Sequence, residues 1–190
     1  NKEGERDVSV YELITERRSI RRFEQKPIAE ELLKKFVDAA RLAPSGANLQ
    51  PLKFKIVNEP EQCRQVFEQT KWAGYLPDWN PTAAEAPVAF IALCVDTDIK
   101  NTEDFCEIGA AAQNIFLTAQ EAGIGTCWLG AINKPEISRI LRIEPPIKLH
   151  TVIGLGYPAE HSEIAVITDN VKYFYDENGV LQVPKRSLED

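Results

Sequence analysis

The sequence predicts an α+β fold in which a central, mostly antiparallel or mixed sheet is flanked by helices. Three observations lead there. The run from Ala29 to Leu42 repeats its apolar residues at helical spacing. The run from Val88 to Val95 is unbroken in its apolar character and has the length of a buried strand. Strands and helices then follow one another without strict β-α alternation, about four or five of the first and five of the second, which favours α+β. The chain has 190 residues, enough for one sizeable core. No linker interrupts it, so residues 8–190 read as one domain.

The elements follow in order. Residues 8–17 read as a short helix with Val10, Leu13 and Ile14 on one side. In the helix from Ala29, the residues Leu32, Leu33, Phe36, Val37 and Ala40 share a face, while Glu30, Glu31, Lys34, Lys35 and Asp38 fill the other. "KFKIV", 53–57, alternates like a strand. Asn58 is placed to cap a helix that has Pro60 in its first turn. Residues 71–87, "KWAGYLPDWNPTAAEAP", carry two Trp, one Tyr and three Pro without periodicity, and read as a long ordered loop or lid. Asp104 opens a helix to about Ala122, closed by Gly123. That helix is apolar around most of its circumference and belongs in a core or a subunit interface. Residues 124–130 read as a strand, Asn133 with Glu136 as a capping box, and 150–158 as the last core strand. Residues 172–184 read as a hairpin turning at Asn178-Gly179.

Composition narrows the function. A net charge of -7 speaks against broad binding to nucleic acid or to an anionic membrane. The longest apolar run is far too short to cross a bilayer. The four cysteines, Cys63, Cys94, Cys106 and Cys127, have no C-x-x-C spacing and no His at metal-ligand distance, so disulfide scaffolds and structural metal sites are weak readings. Scattered Cys suit a reducing cytoplasm. His150 and His161 are the only histidines, and no motif brings either to a Cys, so buried inert thiols are expected.

Two segments carry chemistry. "RRSIRRF", 17–23, crowds Arg17, Arg18, Arg21 and Arg22 into six residues of an acidic chain. Like charges at that spacing repel unless an anion or carboxylates sit among them. Guanidinium matches phosphate bidentately, and Ser19 adds a hydroxyl. A solvated helix end paired with nearby Glu is the alternative. Lys185 and Arg186 form a second basic pair near the other end, and the two clusters would make a phosphate pocket if they converge. "AARLAPSGANLQPLKF", 39–54, ends a helix and spends its residues on Pro44, Ser45, Gly46, Asn48 and Gln50. Carboxamides both donate and accept, which suits ribityl hydroxyls or the edge of a heterocycle. Gly46 lets backbone approach a flat ligand. Taken alone, "PSG" is an ordinary helix-ending loop.

The ordered combination is more specific. "ERRSIRRF", then about twenty residues of helix, then "APSGANLQP", "GAAAQNIFLTAQEAGIGTCWLG" and "IGLGYP" resembles the nitroreductase family of FMN-dependent oxidoreductases, from about Tyr11 to Asp190. The resemblance implies an α+β sandwich forming an intertwined homodimer, with FMN bound at the interface and NAD(P)H as electron donor. By motif, Arg17, Arg18, Ser19 and Arg21 match the segment that holds the FMN phosphate and pyrimidine side, and Lys185 and Arg186 match a basic pair at the phosphate. Pro44, Ser45, Gly46 and Asn48 match a loop donated by the other subunit, with Gln50 beside it. Leu129 and Gly130 match the place where backbone N–H groups approach the flavin N5 and O4 edge. Two positions depart from the pattern: an aromatic residue often found after "QP" is Leu52 here, and an acidic residue sometimes found before Gly130 is Leu129.

The resemblance further implies reduction of a small planar acceptor, such as a nitroaromatic or a quinone, by a ping-pong cycle in which the flavin carries the chemistry and no side chain need be catalytic. Trp72, Tyr75 and Trp79 either stack on a planar substrate or pack the 71–87 segment down. A flavin-destroying or dehalogenating relative specialised by its lid, and a flavin-binding protein without turnover, are the alternatives.

Overall fold

The computed structural model describes residues 8–76, 79–100, 105–167 and 170–189. Its centre is a five-stranded sheet. Strand β3 (Ala89–Asp96) lies between β2 (Leu52–Val57) and the long β5 (Ile147–Pro158). Strands β1 (Phe23–Glu24) and β4 (Gly125–Leu129) also pair with β5, and every pairing is antiparallel. Five α-helices accompany it: α1 (Val10–Glu16), α2 (Glu30–Arg41), α3 (Pro60–Phe67), α4 (Phe105–Glu121) and α5 (Lys134–Leu141). The fold is α+β with a mostly antiparallel sheet, as the sequence predicts.

Alternation along β3 divides the core. Ala89, Ile91, Leu93 and Val95 pack towards α2 and α4, with Leu33, Phe36, Ile108, Ala112 and Ile115 among their partners. Phe90, Ala92 and Cys94 point to the other face, towards Cys63 and Val66 of α3 and Ile137 and Leu141 of α5. Both faces of β3 are therefore covered, which is why its sequence is continuously apolar. The pairing of β3 with β5 slips between Leu93 and Cys94. The extra residue is His150 of β5; on the other side of it ordinary alternation sends Val152 and Ile153 into the two opposite clusters.

Helix ends follow local chemistry, with one correction. The predicted cap Asn58 is not the cap of α3. Glu59 takes that place, its carboxylate accepting from Gln62 N at 2.9 Å, and the negative charge suits a helix N-terminus. Asn133 does cap α5, accepting from Glu136 N. Asp104, the predicted start of α4, lies outside the described residues. Phe105, in the first turn of the helix read as apolar around most of its circumference, is 69% exposed.

A smaller sheet closes the chain. Strand β8 (Leu181–Lys185) pairs parallel with β6 (Ser162–Val166) and antiparallel with β7 (Phe174–Tyr175). The hairpin turns as predicted: Asp176 Oδ1 accepts from Asn178 N and Val180 N, each at 2.9 Å, and Gly179 has φ 76°. No helix among the described residues is long and apolar enough to cross a membrane.

Two glycines of "IGLGYP" mark where chains cross β5. A Cβ on Gly156 would stand 2.8 Å from Cβ and Cδ1 of the buried Phe23, and one on Gly154 would stand 2.8 Å from Pro87 Cγ. Gly156→Ala should lower stability by roughly 1–3 kcal/mol through overpacking. Gly74→Ala, where nothing lies within 4 Å of the added atom, should stay within about 0.5 kcal/mol. Urea unfolding midpoints of the two variants check this.

Candidate functional site

The arginine segment runs from the end of α1 into β1, beside β4. Ile20 N donates to Thr126 O at 2.9 Å, and Ala159 N donates to Arg22 O at 2.9 Å, so β4 and the end of β5 hold the segment in place. Each arginine then meets a different environment. Arg17 lies over the Phe116 ring of α4, 5.2 Å from its centre, and Phe116 in turn packs on Trp128. Arg18 donates to the carbonyls of Arg17 and Thr15. The Arg21 guanidinium stacks on Tyr173 at 4.6 Å, and its backbone N–H donates to Glu160. Arg22 reaches Glu85 at 3.4 Å and lies over Trp79 and Tyr175.

The electrostatics of the cluster are uneven. Only Arg22 has a side-chain ion pair among the described residues. Burial pushes the Arg17 pKa below its ordinary value, the nearby Cys127 working in the other direction. Burial also lowers that of Arg18, and the like charge of Arg17 adds to it. Both groups are held where their charge is poorly solvated, and among the described residues no carboxylate neutralises it. Nη1 of Arg21 is buried and has no hydrogen-bond partner. The cluster is thus short of an anion and of at least one acceptor.

Lys185 and Arg186 are exposed and form no ion pair among the described residues. Lys185 pairs with Val166 at the far end of β8. A cavity of about 540 Å³ has Arg18, Gln120, Ser162 and Ile164 in its wall, and Lys185 does not line it. Four residues of strand separate Val166 from Ser162, roughly 13 Å. The two basic clusters therefore flank one side of the molecule without meeting in one chain.

The other predicted segment sits elsewhere. Residues 44–50 connect α2 to β2, with a short 3₁₀ turn over Gly46–Asn48. Ala47, Asn48 and Gln50 have φ of 49°, 55° and 54°. Left-handed backbone outside glycine costs of order 1–3 kcal/mol per residue, least for Asn. Pro44, Gly46, Asn48 and Gln50 are exposed and Ser45 is half-buried. Ser45 Oγ accepts from Gln50 N at 2.9 Å, and Glu107 Oε1 accepts from Gly46 N at 2.7 Å. Glu107 lies nine residues before Phe116 on α4, about 13.5 Å along the helix. The loop and the arginine segment are thus fixed to the same helix at separate levels.

Leu129 ends β4, buried, and Gly130 follows it, exposed. Thr151 Oγ1 donates to Leu129 O at 2.7 Å and accepts from Trp128 Nε1 at 3.0 Å, which fixes the strand end.

The 71–87 segment divides. Trp72 is 7% exposed and donates to Thr70 Oγ1 at 2.8 Å beside Phe67, the place of a core residue. Tyr75 packs on Tyr173, and Trp79 on Tyr175. The segment is therefore clasped by the C-terminal hairpin above Arg21 and Arg22. Glu107 and Glu160 touch these segments without any sequence motif to announce them, and Trp128 lies inside "GIGTCWLG" without being among the residues that the resemblance marks. The one available signal was an acid at 107 in an otherwise apolar helical stretch.

No group of three or more His, Cys, Asp or Glu placed to hold a metal ion occurs among the described residues.

The chain belongs to the nitroreductase family, whose model matches residues 14–157. It is 33% identical over 162 residues to a protein of Methanothermobacter thermautotrophicus that carries the provisional name NADH dehydrogenase/NAD(P)H nitroreductase, covering 81% of this chain and 80% of that one. It is 26% identical over 175 residues to the FMN reductase [NAD(P)H] of Bacillus subtilis, covering 80% and 67%. A provisionally named nitroreductase from Desulfovibrio desulfuricans, solved in complex with FMN, is 27% identical and superposes with a TM-score of 0.67 over 83% of this chain and 89% of its own.

Cys63, Cys94 and Cys127 behave as buried packing residues, as expected, but Cys106, expected buried as well, is exposed in the first turn of α4. Burial raises the thiol pKa of Cys63 and of Cys94 to about 12 and that of Cys127 to about 11, from 9.0. In a Cys106→Ser background the native protein should give no fast reaction with a thiol reagent at pH 8, and three equivalents after unfolding in guanidinium. Folding raises these three pKa values, so their contribution to stability is complete below about pH 9 and is lost as the pH climbs towards 11–12. Unfolding midpoints should therefore fall as the pH rises above 9.

Proposed function

We propose that the chain is an FMN-dependent NAD(P)H oxidoreductase that reduces a small planar acceptor, such as a nitroaromatic or a quinone, in a ping-pong cycle. The observation that carries this reading is the pair of half-buried arginines, Arg17 and Arg18, which have no carboxylate partner among the described residues of a chain of net charge -7. A phosphate supplies what they lack.

The residues fit FMN. Arg17, Arg18 and Ser19 would hold its phosphate by charge and hydrogen bonds, while Lys185 and Arg186, at the far end of β8, would add positive charge at longer range. The buried, unpartnered Nη1 of Arg21 is a donor suited to the pyrimidine carbonyls or the ribityl chain. Backbone N–H groups at Leu129 and Gly130 would meet the negative charge of the reduced ring. When bound, FMN supplies reversible two-electron chemistry. The protein's part is to bind, to orient and to exclude water.

The site is completed by a second copy of the chain. The strained 44–50 loop shows its polar groups outward, about 13.5 Å along α4 from the level of Arg17. Val10, Tyr11 and Ile14 of α1, and Leu42, Leu49 and Phe105, are all exposed apolar residues around these elements, the mark of an interface. In a homodimer the loop of one subunit faces the flavin of the other. The FMN-bound structural relative and the FMN reductase relative support FMN as the cofactor.

The experiment is an absorption spectrum of the purified protein, then NADH or NADPH added without air. A flavin spectrum that bleaches with one nucleotide is the expected result. A flavin spectrum that neither nucleotide bleaches would move the function to a lid-specialised relative or to binding without turnover. Protein that lacks FMN and does not take it up would contradict the proposal.

A further inference from the structure

The side chains of the 46–50 segment are exposed, so packing does not impose its left-handed shape. Hydrogen bonds do, and the one that reaches into the protein ends on Glu107. This carboxylate sits in the first turn of α4, 5% exposed, beside Ile108 and one turn before Ala111 of the apolar core. Its Oε1 accepts from Gly46 N at 2.7 Å and from Lys100 Nζ at 3.1 Å. The approach is close at Gly46, where a Cβ would stand 3.2 Å from the same oxygen and push it back by a few tenths of an ångström. The carboxylate also closes a cavity of about 210 Å³ between the loop and the start of β2. A charged acceptor is costly to bury unless it is well used, and here it anchors a loop that is otherwise in solvent.

We infer that Glu107 is a positioning residue for cofactor binding: it fixes the shape in which the 44–50 loop meets the flavin of the partner chain, while itself touching neither flavin nor substrate. The inference rests on the FMN reading above. The geometry gives Glu107 a role across the interface, since the loop it anchors serves the other subunit's site.

The test compares wild type with Glu107→Ala, Glu107→Gln and Val66→Ala. The last removes packing under α3, on the opposite face of the sheet. Amide exchange of residues 46–50 is measured in the cofactor-free proteins, and FMN affinity by quenching of flavin fluorescence. Glu107→Ala should speed loop exchange at least tenfold and raise the FMN Kd roughly tenfold to a hundredfold, with the β3 amides little changed. Glu107→Gln, which keeps an acceptor but loses the charge, should fall between. Val66→Ala should lower global stability with neither effect. Glu107→Ala binding FMN within twofold of wild type, or Val66→Ala weakening FMN equally, overturns the inference. Should Glu107→Ala fail to fold, a folded Glu107→Gln with unchanged loop exchange and FMN Kd overturns it as well. Wild type that binds no FMN removes the cofactor reading and this inference together. Wild type that binds, with variants that bind equally well, removes this inference alone.

Discussion

Helix α4 is the rod from which the candidate site is measured. Ile108, Ala111, Ala112, Ile115 and Ala119 bury one side of it against the sheet and α2. Three of its other side chains each hold something outside it. Glu107 holds Gly46, Asn114 Nδ2 donates to Ala39 O at 2.9 Å near the end of α2, and Phe116 carries Arg17. A helix rises 1.5 Å per residue and resists compression. The distance between the loop and the arginine segment is therefore set by the numbering of α4, and no local adjustment in one chain brings them together. In the proposed homodimer, that spacing is the geometric reason for a second chain.

The charge pattern follows the same logic. A chain of net charge -7 repels anions at long range, yet it holds four arginines in one short segment. Glu85 and Glu160 lie on the Arg21–Arg22 half, together with the aromatic rings of the lid segment and the C-terminal hairpin. The Arg17–Arg18 half keeps its charge uncompensated. The split gives the segment two roles. One half fastens residues 71–76 and 79–87 to the hairpin, and the other is the half proposed to take an anion. Tyr175 shows the fastening clearly: its hydroxyl donates to Glu160 at 3.3 Å, and burial, with the adjacent carboxylate, raises its pKa.

Much of this was legible in the sequence where the signal is local. The helix of Leu33, Phe36 and Ala40, the buried strand β3 and the turn at Asn178-Gly179 each declare themselves through periodicity or turn chemistry. The arginine run and the "PSGAN" loop declare themselves through residue type. What stayed hidden depends on contacts distant in the chain. Strands β1 and β6 are short and take their partners from β5 and β8, so nothing within them states the pairing. Ala47 and Gln50 adopt left-handed backbone without the glycine that would announce it, because the loop is held from outside by Glu107. Trp72 reads like its neighbours Tyr75 and Trp79 but is buried, since Phe67 and Thr70 of the preceding segment enclose it. Asn58 loses the cap of α3 to Glu59 by one residue, a difference that only the backbone decides.

The claim on which the rest turns is that one complete site takes its arginines from one chain and its loop from another. Mixed dimers test it. Arg17→Ala with Arg18→Ala disables the arginine segment in one chain, and Asn48→Trp blocks the loop in the other. Each variant alone should bind FMN poorly. The mixed dimer should regain one intact site, with FMN bound at one per two chains and wild-type affinity. Mixed dimers that form but recover no FMN binding would show that loop and arginines serve the same chain, and would contradict the account.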